Sequence, residues 1–296
     1  MKVLVFGSLN IDCVFRLPRI ARAGETVASS AFSRNVGGKG LNQAVALGRA
    51  GAEVYMAGAV GEDGAFLRAF LEASGVRTEL IRTLDVPSGQ AMIQVEDSGE
   101  NAIVLYPGAN RALPPEAAAQ TLSRFSAGDW LLLQNEINLT SALIEEAHRR
   151  GMVTVLNPSP FTPEILSWPL EKLQWLILNE LEGADMTGRR DPDGILDALR
   201  SRLPRCGLVL TLGEAGSVCD TGAERLRQPA CPVRELTDTT GAGDTFTGYF
   251  VQSLLAGETA ASALRAASRA AAVAISRPGA AVSVPTRREV EESPEV

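Results

Sequence analysis

Short runs in which almost every position is apolar alternate along the chain with longer segments whose apolar residues recur every three or four positions. Val3–Gly7, Val54–Ala59, Trp130–Gln134, Val153–Asn157, Trp175–Asn179 and Leu208–Leu212 are of the first kind. A strand that is apolar on both faces is buried on both, as in the interior of a parallel sheet. Gly40–Ala50, Ala65–Ser74, Ser141–Arg150 and Ile195–Leu203 are of the second kind and predict helices. The repeated strand–helix order predicts a three-layer α/β/α fold around a mainly parallel central sheet. Two stretches break the rhythm. Glu25–Asn35 is polar and extended, and Gln90–Glu96 leads through Asp97-Ser98-Gly99-Glu100 into Asn101–Tyr106, which reads as a hairpin. Both are assigned to a small second sheet, inserted at about 11–36 and 89–108 of a single domain spanning 1–296. Such a projecting sheet suits a two-strand lid, a contact between two copies, or both. Near the end, a helix from Gly241 to about Ala256 stops at Gly257, and an alanine-rich helix follows over Thr259–Ser276. Its small residues suit either tight helix packing or a flat wall beside a planar ligand, and composition leaves both open. The charged tail from Arg287 to Val296 is expected to fray.

Charge narrows the classes of function. The 296 residues carry 28 basic and 35 acidic side chains, a net −7, which repels nucleic-acid backbones and anionic membrane surfaces. No apolar run approaches the roughly 18 residues that span a bilayer. The apolar start Met1–Gly7, with Asp12 close behind, reads as a first strand and not as a secretion leader. Cys13, Cys206, Cys219 and Cys231 form no Cys-x-x-Cys pair, so they read as ordinary reduced thiols of a cytoplasmic protein. The single histidine, His148, falls in the basic last turn of a helix before Gly151. Multi-histidine metal sites are thereby excluded, and a general base is expected to be a carboxylate.

The chemistry concentrates in the run Thr237-Asp238-Thr239-Thr240-Gly241-Ala242-Gly243-Asp244-Thr245-Phe246. A glycine-rich turn opening a helix aims free N–H groups and the positive end of the helix dipole at one spot, an anion hole for a transferred phosphoryl group. Asp244 beside it is placed to accept a proton from an attacking hydroxyl; taken alone, it reads first as an aspartate that stabilises a helix start, and the whole ten-residue run is what favours the base. Gly37-Gly38-Lys39-Gly40-Leu41-Asn42-Gln43 opens a second helix in the same way. No P-loop occurs, so Lys39 is not a Walker lysine, and no Gly-x-Gly-x-x-Gly follows the first strand, which argues against a dinucleotide oxidoreductase. Asn10 and Asp12 lie just past that strand, where open α/β sheets bind ligands, and suit a polyhydroxylated molecule such as a sugar.

Both glycine motifs, together with Gly7-Ser8-Leu9-Asn10-Ile11-Asp12, Gly24-Glu25-Thr26, Pro107-Gly108-Ala109-Asn110 and Asn179-Glu180-Leu181-Glu182, resemble the ribokinase/PfkB family of carbohydrate kinases along nearly the whole chain. The resemblance implies a ribokinase-like fold and ATP-dependent phosphorylation of a sugar, with D-ribose the leading acceptor. Deoxyribose, fructose, a sugar acid or a nucleoside are the alternatives, and a non-catalytic sugar sensor is a more distant one. It further implies that Asp244 is the base, with Gly241, Ala242 and Gly243 as its anion hole. Asn10, Asp12, Gly38, Lys39, Gly40, Asn42 and Glu136 match sugar-contacting positions, while Asn179 and Glu182 match positions that organise Mg2+ and the ATP phosphates. Thr211, Leu212, Gly213, Glu214, Ala215 and Gly216 match a nucleotide loop that Gly243 adjoins, and Ser268 falls where relatives often place His or Asn near the adenine. Asp238, Thr240, Ala274, Arg277, Gly279 and Ser283 match a monovalent-cation site, for K+. The partners implied are a small sugar, ATP and a second copy of the chain paired through the lid.

Overall fold

The computed structural model describes residues 1–96 and 98–293, so Asp97 of the expected hairpin turn and 294–296 of the charged tail lie outside the described residues. In chain order the strands are β1 (Val3–Phe6), β2 (Asn10–Leu17), β3 (Ala31–Gly37), β4 (Val54–Val60), β5 (Val76–Thr83), β6 (Gly89–Glu96), β7 (Asn101–Tyr106), β8 (Trp130–Leu133), β9 (Val153–Leu156), β10 (Trp175–Asn179), β11 (Gly207–Thr211), β12 (Ser217–Asp220) and β13 (Arg225–Gln228). The helices are α1 (Lys39–Arg49), α2 (Ala65–Ala73), α3 (Ala117–Leu122), α4 (Thr140–Arg149), α5 (Glu180–Thr187), α6 (Pro192–Arg202), α7 (Ala242–Leu255), α8 (Ala260–Ile275) and α9 (Arg287–Glu292). The six predicted strands are all present, with ends displaced by one residue at most. Helix α6 begins earlier than its apolar period suggested, because the Asp191 side chain caps it and Pro192 occupies its first position.

Nine strands form the main sheet in the order β13-β12-β11-β10-β9-β8-β1-β4-β5. Every neighbouring pair is parallel except β11–β12 and β12–β13. Alternation along β1 divides the interior in two: Val3 and Val5 face one core and Leu4 and Phe6 the other. The first core is closed by α1, α2, α7 and α8, the second by α3, α4, α5 and α6. Each buried aliphatic side chain contributes roughly 1.5–3 kcal/mol. The outer strand β13 keeps its open edge polar, since Arg225 pairs with Asp193, Asp197 and Asp220 and Arg227 with Asp193.

The second sheet has four strands, in the order β3-β2-β6-β7, where a lid of two was expected. The expected hairpin is present as antiparallel β6 and β7, but β2 also joins, running parallel to β6 and antiparallel to β3. The polar stretch from Glu25 becomes strand only at Ala31. Phe32, Ile103, Val104, Leu105 and Tyr106 of this sheet stand exposed.

Helices α1 and α7, which open at the two glycine motifs, pack directly together. A Cβ built on Gly248 would sit 2.4 Å from the Cβ of Ala46, so the two backbones approach as closely as glycine allows. Gly248→Ala therefore forces the helices apart, and overpacking of this kind costs about 1–3 kcal/mol, read as a lowered midpoint in thermal denaturation.

Candidate active site

The carboxyl ends of β1, β8, β9, β10 and β11 and the amino ends of α1 and α7 surround one cleft, the usual ligand position in an open α/β sheet. The two helix starts differ in one respect. At α1, the N–H of Lys39 donates to Glu136 Oε2 (3.0 Å) and that of Gly40 to Ser8 Oγ (3.2 Å), while Ser8 Oγ itself donates to Glu136. Its free donors are thus taken up by the protein. At α7, Gly241 adopts a left-handed conformation (φ 77°) and no side chain caps the helix. Ala242 N–H reaches Thr239 O at 3.2 Å, and among the described residues the N–H groups of Gly243 and Asp244 meet no protein acceptor. A Cβ at Gly243 would meet nothing within 4 Å. The amino end of α7 is therefore the open anion-binding position of the pair.

Asp244, in the first turn of α7, is buried and tied across to α1. Asn42 Nδ2 donates to its Oδ2 and Gln43 Nε2 to its Oδ1, each at 2.9 Å. Asn42 Oδ1 is buried without a partner. Lys39 lies close by. Burial acts to lower the pKa of its ammonium, but the charges of Asp244, Glu136 and Glu182 outweigh that and hold it above its usual value. Asn10 Oδ1 accepts from Asn110 Nδ2 at 2.7 Å. Asp12, at the root of β2, has its carboxyl pushed up to about 7, by burial first and by the negative Glu136 second. Gly37 makes room for it, since a Cβ there would fall 2.1 Å from Asp12 Oδ2. The cleft thus gathers Asn10, Asp12, Lys39, Asn42, Glu136 and Asp244. Gly40 is buried against the β1–β2 loop, its would-be Cβ 2.5 Å from Ser8 N, so glycine is needed there for close approach.

A cavity of about 530 Å³ adjoins the opening of α7. Thr211, Gly213, Glu214 and Gly216 line it on one side, Ala242 and Gly243 at its inner end, and Ser268, Ala271, Ala272 and Ile275 of α8 along a wall. The alanines of α8 serve both readings that composition left open, because Ala263, Ala267, Ala270 and Ala274 are buried in the protein while Ala271 and Ala272 border the cavity. Leu212 turns instead to the core, and Ala215 is exposed on the loop. The opposite wall comes from Ala230, Cys231, Pro232, Val233 and Leu236. That segment carries neither helical nor strand periodicity, and the sequence signalled nothing there.

Asn179 and Glu182 form a reciprocal capping box at α5, with Glu182 N donating to Asn179 Oδ1 (2.8 Å) and Asn179 N to Glu182 Oε2 (3.0 Å). Among the described residues no group of three or more Asp, Glu, His or Cys is placed to hold a metal ion. A lone carboxylate fits Mg2+ carried largely by water and phosphate oxygens, not by a protein cage. In the loop before α7, Asp238 Oδ1 accepts from the N–H (2.9 Å) and hydroxyl (2.6 Å) of Thr240, and Oδ2 from the N–H of Gly279 (2.8 Å). Burial opposes its charge, but these donors prevail and hold the carboxyl below its usual range. Ala274 O accepts from Arg277 N and Ser283 Oγ donates to Ala280 O, so the turn following α8 closes onto this loop. The oxygen-rich set suits a large, weakly hydrated cation in donor type. His148 lies exposed in the last turn of α4, far from this chemistry in role, and the four cysteines are free thiols.

A model of the pfkB family carbohydrate kinases matches residues 1–287. The chain belongs to this family. A ribokinase of Bacillus subtilis (strain 168) is 35% identical over 295 residues, covering 98% of each chain. Among solved structures, a ribokinase of Cryptococcus neoformans in complex with ADP is 37% identical with a TM-score of 0.86, covering 98% of this chain and 99% of that one. An Arabidopsis thaliana ribokinase complexed with ribose and ATP is 28% identical with a TM-score of 0.86, covering 98% and 97%. The protein is thus a carbohydrate kinase with a ribokinase-like fold. Among the described residues, no helix of this kinase is long and apolar enough to cross a membrane.

Sequence reasoning did not single out Ser8, Gln134 or Asn157, all of which the kinase places behind the cleft, and gave Gln43 no role. Asp12 carries a testable linkage. With its carboxyl near 7 when folded against an ordinary 3.8, the folded state holds the extra proton between those values, so Asp12 lowers stability as pH rises through about 4 to 7. Asp12→Asn should raise the thermal midpoint at pH 8 and leave it nearly unchanged at pH 4. Equal shifts at both values would contradict this account.

Proposed function

We propose that this kinase transfers the γ-phosphoryl group of ATP to the 5-hydroxyl of D-ribose, with Asp244 as general base. One observation carries the reading: Asp244 stands in the first turn of α7, whose open N–H groups separate the nucleotide-sized cavity from the polar cleft. Ribose hydroxyls bind to Asn10, Asp12, Lys39, Asn42 and Glu136, and ATP lies in the cavity with its phosphates toward Gly241, Ala242 and Gly243. Asp244 takes the proton of the 5-hydroxyl as that oxygen bonds to phosphorus and the bond to the β-phosphate oxygen breaks. The charge that develops meets the N–H groups and dipole of α7. ADP and ribose 5-phosphate leave, and the carboxyl returns its proton to water. Mg2+ bound with the nucleotide neutralises phosphate charge, and Glu182, with Asn179, is the group that would hold it through water. K+ at the carbonyls of Asp238, Thr240, Ala274, Arg277, Gly279 and Ser283 would keep the loop ahead of α7 in one conformation.

The small sheet is the lid. Asn10 and Asp12 sit at the start of β2 and Gly37 at the end of β3, so movement of this sheet carries sugar contacts with it and excludes water from the cleft. Exposed Phe32, Val104 and Tyr106, which the strand register places on one side of this sheet, form the surface through which two copies pair, in the cytoplasm, where the four thiols remain reduced.

Asp244→Asn keeps the shape and removes the base, so kcat on ribose should fall by roughly 10²–10⁴ with the ribose KM little changed. Near-normal turnover in that variant would sink the assignment. ADP release across ribose, deoxyribose, fructose, sugar acids and nucleosides, with K+ or Na+, tests the acceptor and the cation together. Highest kcat/KM on ribose and greater activity in K+ are the expected results. For the lid surface, Val104→Asp should leave a monomer by light scattering where the parent chain runs as a dimer.

A further inference from the structure

Behind Asp244 lies a chain of amides, with Gln43 and Gln134 buried and Asn157 half-buried. Gln43 Nε2 donates to Asp244 Oδ1 (2.9 Å) and to Asn157 Oδ1 (3.0 Å), and Gln43 Oε1 accepts from Gln134 Nε2 at 2.6 Å. Asn157 is anchored in turn, its Nδ2 donating to the backbone oxygen of Ile177 in β10 at 2.9 Å. Gln43 and Gln134 are both fully buried. The chain runs from the ends of β8, β9 and β10 through α1 to the first turn of α7. Space for it is reserved at Gly7, where a Cβ would fall 2.0 Å from Gln134 Oε1.

The direction of the chain is dictated by the carboxylate. Ionised Asp244 only accepts, so Gln43 must turn its NH2 toward it. Its carbonyl oxygen then faces Gln134, which can answer only with its own NH2. An amide side chain is therefore required at 43 and a donor at 134, although hydrophobic residues of similar size would fill either space. Gln134 Oε1 is left buried without a partner. That arrangement carries a cost in stability, since an unpaired buried acceptor loses its hydration.

We propose that Gln43, Gln134 and Asn157 are positioning residues that fix the orientation of the Asp244 carboxylate, with Gln134 and Asn157 acting only through Gln43. The proposal rests on the reading of Asp244 as the base. Because the proposed reaction assigns none of these three residues a sugar or nucleotide contact, their loss should appear in kcat and leave both KM values nearly intact.

The experiment is a double-mutant cycle in steady-state kinetics with ribose and Mg-ATP. Gln43→Met should lower kcat by about 10–100-fold, as expected for small misplacement of a reacting group, with both KM values within about threefold. Gln134→Met should lower kcat by a smaller factor of about 3–10, and should add nothing once Gln43 is methionine. Multiplying losses in the double variant, or KM values that rise in step with the fall in kcat, would overturn the proposal, since a merely structural role predicts either. If Gln43→Met gives no cooperative melt, Gln134→Met decides alone: a reduced kcat with both KM values retained supports the chain, and an unchanged kcat overturns it. Asp244→Asn separates the two readings. Retained turnover there removes the base itself, whereas lost turnover there with a normal kcat in Gln134→Met removes only the chain behind it.

Discussion

The site depends on the contact between α1 and α7. These helices come from opposite ends of the sequence, yet Gly248 lets them touch at Ala46, and that approach brings Asn42 and Gln43 to the two oxygens of Asp244. Burying a carboxylate without donors is costly, and the amides of α1 supply a hydrogen bond to each of its oxygens. The same contact sets the two helix starts side by side. One start is filled by Ser8 and Glu136 and the other left open, so an incoming anion meets a single positive helix end.

Around that contact the electrostatics divide the cleft. The protein is acidic overall, yet the ammonium of Lys39 is held charged by Asp244, Glu136 and Glu182. Asp12, a short way along β2, feels the same negative Glu136 and is pushed toward neutrality. Burial and negative neighbours oppose each other at the cationic Lys39, where the charges win, and act together at Asp12, where burial is the larger cause. The cavity on the far side of α7 is mostly apolar in its lining residues, as suits a flat aromatic base, while the polar groups gather at the sugar end.

Much of this was legible in the sequence, for identifiable reasons. Strands buried on both faces announce themselves by unbroken apolar runs, and β10 is found where the run from Trp175 to Asn179 placed it. Glycine turns opening helices marked both motifs, and Asp244 followed from its place in the first turn. What stayed hidden depends on tertiary approach. Strand β13, Arg225-Leu226-Arg227-Gln228, is too short to stand out, and β2 finds its place between β3 and β6 only through tertiary pairing. The cavity wall from Ala230 to Leu236 has no regular structure to betray it. Gln134 and Asn157 look like residues that end apolar strands, and nothing local says that both their amides meet Gln43.

The separation of Gln43 from Asp244 has a consequence for how the protein comes into being. The two residues lie 201 positions apart. At roughly 5–20 residues per second, a ribosome needs about 10–40 s to pass from one to the other. Throughout that interval the amide of Gln43 has no carboxylate to meet, and the cleft lacks Asp244 and the open amino end of α7. A nascent chain, or one cut short before α7, therefore lacks the residues to which the proposed reaction assigns the base and the anion hole. Competence arrives in one step, late in synthesis, when the last helices dock.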